Sequence, residues 1–267
     1  MNYKDIERSI IKTYRKDIWC KFTKAVTEYD LIKENDKIAV CISGGKDSFL
    51  MAKCFEEIRK HGKYNFDLEF IVMDPGYSST NLDKVINNAK LLNIPIKVFK
   101  TDIFESVKEM NTKSPCYMCA RMRRGHLYSI AKELGCNKIA LGHHFDDVIE
   151  TILMSIFYNG EVRSMLPKLH SENFQGMELI RPLYFIKESS IINWVNYNNL
   201  EFINCACILK NDNSKRQEIK SLISLLRKNS KYIDLNIFKS VENINLNQVI
   251  GYFDKDTKHY FLDDYDK

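Results

Sequence analysis

The sequence predicts an α/β protein, a doubly wound parallel sheet with an N-terminal helix before it and a C-terminal helical extension after it. Three observations carry that expectation. Short apolar runs alternate with helical patterns from residue 37 to residue 158; a turn containing two glycines, SGGKDS at 43–48, joins the first run to the helix behind it; and no Pro/Gly/Ser linker divides the chain. Such alternation is satisfied by parallel strands connected through helices on both faces. The 267 residues are 45% hydrophobic and 28% charged, with ten Gly and five Pro, a globular balance that excludes collagen-like, low-complexity and disordered classes.

The elements follow in order. Ile6, Ile10, Ile11, Tyr14, Ile18, Phe22, Val26 and Tyr29 recur every three or four residues, which predicts an amphipathic helix over 4–29 with Lys and Arg on its other face. Strands are expected at KIAVCIS (37–43), LEFIVMD (68–74) and NKIALGH (137–143), with a weaker one at IPIKVFK (94–100). Helices are expected at 48–61, 80–92, 118–134 and 145–158. Beyond Gly160 the periodicity weakens until helices at 187–197 and 213–228, and VIGYFDKDTKHYFLDD near the end reads as a hairpin. The expected division is a basic helix at 1–30, a catalytic domain at 31–231 and a tail of unassigned role at 232–267.

The net charge of +5 is modest, but it is unevenly spread. Residues 1–24 hold seven Lys/Arg against three Asp/Glu, residues 111–138 six against one, and residues 209–231 seven against two. One such run is usually a solvated helix face; three favour a polyanionic partner, nucleic acid first. Met1 leads into the polar NYKDIERS, and no apolar stretch approaches the roughly 20 residues of a membrane span, so a reducing, cytoplasmic setting without a membrane is expected. The eight cysteines are then read as metal or redox sites rather than a disulfide framework.

The strand KIAVCI feeds SGGKDS directly into the helix that follows, placing a glycine turn at a strand's carboxyl end and a helix N-terminus. Anions bind at such places. Gly44 and Gly45 let backbone N–H groups point inward at φ values that other residues resist, Ser43 and Ser48 add hydroxyls, Lys46 adds charge, and Asp47 completes the run. The GxxxxGK[ST] spacing of a Walker A site is absent. SGGKDS resembles the PP-loop of the N-type ATP pyrophosphatases, a family whose loop grips the pyrophosphate end of ATP and leaves the α-phosphate open to attack. Asp74, ending the second strand in VMDPGY, lies where ligands of such sheets bind and is a candidate for orienting ATP or Mg2+; a turn cap before Pro75 is the competing reading.

Cys116 and Cys119, in SPCYMCARMRRG, are spaced to share one helix face, and Arg121, Arg123 and Arg124 beside them favour thiolate. A CxxC alone also fits a redox pair or half a zinc site; a second pair, Cys205 and Cys207 in NCAC, keeps four-thiolate zinc open while adding to the metal reading. Together, SGGKDS, CYMCARMRRG, LGHHFDDVIETILMSIFYNG, IRPL and a late cysteine before KRQ resemble the TtcA family, the tRNA 2-thiocytidine synthetases, in the family's order over roughly residues 5–228.

That resemblance implies a sulfurtransferase using ATP, Mg2+ and a 4Fe-4S cluster, with one iron lacking a protein ligand. Carried over, the cluster ligands are Cys116, Cys119 and Cys205, the last because it lies eleven residues before Arg216; the family's late CxxC is CAC here, which leaves Cys207 without an assigned role. Asp147 is the candidate for general acid–base or magnesium work, with N-terminal helix capping by Asp146 and Asp147 as the alternative. Arg123, where related thiolases carry a catalytic lysine, and Lys46 complete the catalytic set, and Gly142 joins the nucleotide contacts. His143 and His144 are expected to shape the loop or contact the base; Arg124, Arg163, Lys168 and Arg181 are candidate RNA phosphate contacts or ordinary surface charges. Cys20, Cys41, Cys54 and Cys136 are expected to be packing residues. The implied reaction turns cytidine at anticodon-loop position 32 into 2-thiocytidine, with a cysteine desulfurase or other sulfide donor as partner and a homodimer as the family's habit. Thiolation of uridine or another RNA, and a non-catalytic zinc-stabilised RNA-binding protein, remain open on the residues alone.

Overall fold

In a computed structural model describing residues 2–110, 112, 115–203, 215–263 and 265, the N-terminal segment forms α1 (Tyr3–Ile11), a π-helical turn (Arg15–Trp19) and α2 (Cys20–Glu28) in place of one continuous helix. The reason lies in the spacing. Residues 6, 10, 14, 18, 22 and 26 repeat every four, and a repeat longer than 3.6 drifts around a straight α-helix. The wider π turn takes up the drift, so that Ile6, Ile10, Ile18, Phe22 and Val26 are all buried.

The strand KIAVCI is β1 (Lys37–Ile42), buried at all but its first residue, as suits a central parallel strand covered on both faces. It is followed by α3 (Lys46–His61), β2 (Asp67–Asp74), α4 (Ser79–Leu91), β3 (Ile96–Lys100), α5 (Ile103–Glu109), α6 (Pro115–Glu133), β4 (Lys138–Ala140) and α7 (Phe145–Asn159). Then come β5 (Lys168–His170), β6 (Glu178–Ile180), α8 (Glu188–Tyr197), α9 (Lys215–Asn229), α10 (Ile233–Ser240) and the hairpin β7 (Gly251–Asp254) and β8 (Thr257–Tyr260). Among the described residues the main sheet has six strands in the order β3-β2-β1-β4-β6-β5. The pairs β1·β2, β1·β4, β2·β3 and β4·β6 are parallel, and the edge pair β5·β6 is antiparallel. The predicted doubly wound sheet is therefore present, closed on one edge by a strand running the other way. β5 and β6 span three residues each, too few to show a period in the sequence.

The chain divides into two compact units. One, residues 1–148 and 166–212, contains the whole six-stranded sheet; the other comprises residues 149–165 and 213–267. Within the first, the N-terminal helices are fixed by buried polar contacts. Trp194 Nε1 donates to Ser9 Oγ at 3.1 Å, and the fully buried Lys53 ammonium donates to Glu7 at 2.6 Å, to Glu56 at 2.5 Å and to the Leu92 carbonyl at 2.9 Å. Within the second, Arg216 Nε pairs with the buried Glu150 at 3.0 Å, and Arg227 with Asp234 at 2.8 Å. Among the described residues no helix is long and apolar enough to cross a membrane.

Candidate active site

Strand order places the site. From β1 the chain proceeds to β2 on one side and later supplies β4 on the other, so a crevice opens at the carboxyl ends where the order reverses. A cleft of about 370 Å³ occupies that position. Its walls are Cys41, Ile42 and Ser43 ending β1, Asp47 and Ser48 opening α3, Leu141, Gly142 and His143 after β4, Asp147 in α7, and Ala120, Arg123, Arg124 and Leu127 on α6, with Met73 and Ile139 from the sheet. SGGKDS, GHHFDD and CYMCARMRR thus converge within the first unit.

The loop is held from several sides. Gly44 has φ +85°, and a Cβ there would lie 2.5 Å from Ile203 Cδ1, so both conformation and space require glycine. Gly45 has an ordinary φ of −83° as the residue capping α3, which corrects the expectation that both glycines serve by unusual φ. Ser43 N–H donates to Ser48 Oγ at 3.2 Å, and Ser48 Oγ donates to the Gly45 carbonyl at 2.8 Å. Gly142 lets the segment after β4 run against the start of α3, where a Cβ would sit 3.1 Å from Ser48 N. The Lys46 ammonium turns to Glu188 Oε1 at 2.9 Å and Asp47 Oδ2 at 3.3 Å. Burial pushes the Asp47 carboxyl above its ordinary range, with His144 and Lys46 pulling the other way.

The two aspartates of GHHFDD take different partners. Asp147 Oδ2 accepts the His144 N–H at 3.1 Å, reaching back over the start of α7 as a capping box does, and lines the cleft. Asp146 Oδ2 accepts the Glu188 N–H at 2.7 Å. His144 is buried with Nε2 3.5 Å from Asp147 and 4.0 Å from Asp47, in keeping with a loop-shaping residue. His143 lines the cleft, and its Nδ1 accepts from Arg181 Nε at 3.4 Å. Arg181, expected as a surface contact, is instead buried and also donates to the Leu166 carbonyl; burial, with Arg124 nearby, lowers its guanidinium to about 10.

On α6, Cys119 is buried with Met73, Ile103 and Val107, one turn before Arg123. Cys116 lies in the first turn of the same helix; its side chain, and all of Cys205 and Cys207, fall outside the described residues. Among the described residues no three His, Cys, Asp or Glu side chains group to hold a metal. Cys41, Cys54 and Cys136 are buried, and burial lifts the Cys136 thiol to about 11 and Cys41 and Cys54 further. Cys20, expected in the packing, is exposed on α2 because it follows the buried stripe out of register. Asp74 Oδ1 accepts from Gly76 and Tyr77 N–H at 2.9 and 2.6 Å, the turn-cap arrangement, and it is not among the cleft's walls.

The basic blocks are partly neutralised. Lys168 donates to the Asp30 carbonyl at 3.0 Å and pairs with its carboxylate, Arg163 pairs with Glu161 at 3.8 Å, and in the second unit Arg216, Lys220 and Arg227 face Glu150 or Asp234. Lys12, Arg15 and Lys16 are exposed. Sequence reasoning missed Glu188. It reads as an ordinary helix start, and nothing local signals a partner 142 positions away.

A model of the PP-loop domain family matches residues 14–223. A tRNA-cytidine(32) 2-sulfurtransferase of Coxiella burnetii (strain RSA 493 / Nine Mile phase I) is 37% identical over 257 residues, covering 94% of this chain and 96% of that protein. A protein of the same description from Syntrophotalea carbinolica is 35% identical over 224 residues, covering 83% and 86%. Among solved structures, the U34-tRNA thiolase NcsA from Methanococcus maripaludis with its 4Fe-4S cluster superposes with a TM-score of 0.68 at 26% identity, covering 84% of this chain and 78% of that one.

Proposed function

The chain belongs to the PP-loop domain family, and from that premise we propose that it is an ATP-dependent tRNA thiolase that replaces the C2 oxygen of cytidine 32 by sulfur. The observation that carries this reading is the convergence, on one cleft at the sheet's switch point, of the phosphate loop, Asp147 and the arginines of the CxxC helix. Relatives of that description match over nearly the whole chain.

A carbonyl oxygen is a poor leaving group, so it must be activated before sulfur can displace it. The loop amides of 44–48, the Ser43 hydroxyl and Lys46 hold the β- and γ-phosphates at the start of α3, with Ser48 bracing the loop from within through Ser43 N–H and the Gly45 carbonyl, leaving the α-phosphate facing the cleft. The C2 oxygen attacks that phosphorus, pyrophosphate leaves, a sulfur nucleophile adds at C2, and AMP departs with the original oxygen. Asp147 serves as the acid–base group or as a ligand to Mg2+ on the triphosphate. Arg123, also lining the cleft, sets a cation where negative charge develops on the adenylated base. Gly142 keeps the passage between β4 and α3 narrow enough for the loop to keep its shape. Asp74 supports the site through its turn.

The chemistry of the donor set fits a 4Fe-4S cluster: three cysteine sulfurs are the soft ligands such a cluster takes, and Cys119 is buried beside Met73, Ile103 and Val107. Cys116, Cys119 and Cys205 would hold it, and when bound it would supply the sulfur-donating centre. The sulfur comes from a cysteine desulfurase or other sulfide donor, the protein works in the cytoplasm as a homodimer, and the exposed N-terminal cations take the tRNA backbone.

The test is nucleoside mass spectrometry of tRNA from a deletion strain, with anaerobic purification of the protein. Loss of 2-thiocytidine and a brown protein absorbing near 400 nm are expected. Loss of a thiouridine instead moves the substrate; colourless protein with stoichiometric zinc overturns the enzyme reading. Cys116→Ala is expected to abolish thiolation and cluster retention while ATP binding persists.

A further inference from the structure

Lys46 is the first residue of α3 and Glu188 the first of α8, and their side chains, 25% and 30% exposed, meet at 2.9 Å. A lysine ammonium has three N–H donors. Glu188 takes one and Asp47 a second, leaving the third for a ligand at the loop. Glu188 is itself fixed: its backbone N–H donates to Asp146 Oδ2 at 2.7 Å, and Phe145 N–H donates to the Ile186 carbonyl at 2.9 Å, tying the start of α7 to the start of α8. A chain of contacts therefore runs from Asp146 through Glu188 to the lysine of the phosphate loop.

We propose that Glu188 is a positioning residue for ATP: its carboxylate anchors the Lys46 ammonium at the mouth of the loop, and Asp146 anchors Glu188. The proposal rests on the reading of SGGKDS as an ATP phosphate loop. The physical case is preorganisation. A lysine has a long flexible stem, and a ligand that must order it loses affinity in doing so. Glu188 has ordered it beforehand, and its carboxylate sits at a helix N-terminus where negative charge is favoured. The competing role is a latch, in which Glu188 withholds Lys46 from phosphate by charge. The two differ in sign: loss of an anchor weakens ATP binding, and loss of a latch tightens it.

The experiment measures MgATP dissociation constants calorimetrically on the full-length protein, with a thermal melt for each variant. Glu188→Ala is expected to weaken ATP about five- to tenfold. Glu188→Gln keeps an acceptor oxygen and recovers most of that loss. In a Lys46→Ala background, Glu188→Ala should add nothing, since its effect passes through the lysine. Asp146→Ala should weaken ATP in the same lysine-dependent way, which gives a second route to the answer. Tighter or unchanged binding in Glu188→Ala overturns the proposal, as does equal weakening with and without Lys46. Wild-type affinity in Lys46→Ala itself would instead overturn the phosphate-loop reading beneath it.

Discussion

Asp146 and Asp147 are adjacent in the chain, yet Asp146 accepts the backbone N–H of Glu188 at 2.7 Å while Asp147 accepts that of His144 at 3.1 Å and faces the cleft. Their substitutions should therefore separate. Asp146→Ala leaves the partly buried Glu188 N–H without its acceptor, at a cost of about 1–2 kcal/mol, and lowers the unfolding midpoint. Asp147→Asn keeps an oxygen for His144, so the melt should hold, while the proposed role of Asp147 as acid–base group or Mg2+ ligand predicts that thiolation falls by about a hundredfold or more. Melting curves beside single-turnover thiolation check both; a stable, fully active Asp147→Asn would remove Asp147 from the chemistry.

The Asp47 carboxyl is pushed upward chiefly by burial, so the folded protein holds its proton to a higher pH than the unfolded chain does. Its contribution to stability is fully present below the ordinary carboxyl value of 3.8 and is lost as pH rises through the elevated one. At neutral pH the ionised group works against folding. Asp47→Asn should raise the unfolding midpoint at pH 7, with the gain shrinking toward pH 4, even as ATP binding suffers. Melts across that range decide it, and a gain that does not change with pH would contradict the burial argument.

Legibility in the sequence followed the range of each interaction. SGGKDS could be placed because strand, turn and helix are contiguous, and the alternation at 37–158 sufficed for the sheet. The straight helix over 4–29 failed at a four-residue repeat that a π turn absorbs, and β5 and β6 were too short to read. Side-chain commitments were least visible. Arg181 reads as one more cation in IRPL, but its guanidinium is buried against His143 and the Leu166 carbonyl. Glu188 meets Lys46 only because α7 and α8 start side by side.

Lys53 is fully buried between Glu7 and Glu56, so it holds α1 against α3. Glu56 is pushed up by burial even with Lys53 beside it. Lys53→Met removes the cation but leaves both carboxyls, at a cost of about 3–5 kcal/mol for a broken buried pair. Adding Glu56→Gln should return part of that loss. Urea denaturation of the two variants measures it; an undiminished midpoint in Lys53→Met would show that α1 is held against α3 without the buried ammonium.

Lys12, Arg15 and Lys16 are exposed around the π turn, whereas Lys24 on α2 is already paired with Glu28 at 3.4 Å and lies over the Phe185 ring. If the N-terminal segment carries the tRNA backbone, the first three are its contacts and Lys24 is not. Each phosphate contact adds about 0.7–0.9 to the slope of log affinity against log salt. The triple change Lys12→Gln, Arg15→Gln, Lys16→Gln should flatten that slope by about 2–3 and weaken tRNA alike whatever its sequence. Lys24→Gln alone should change the slope by less than one contact's share. Filter binding over a potassium chloride series separates them: a slope unmoved by the triple change would place the RNA elsewhere, and one moved mainly by Lys24→Gln would mean that the Glu28 pair opens to receive phosphate.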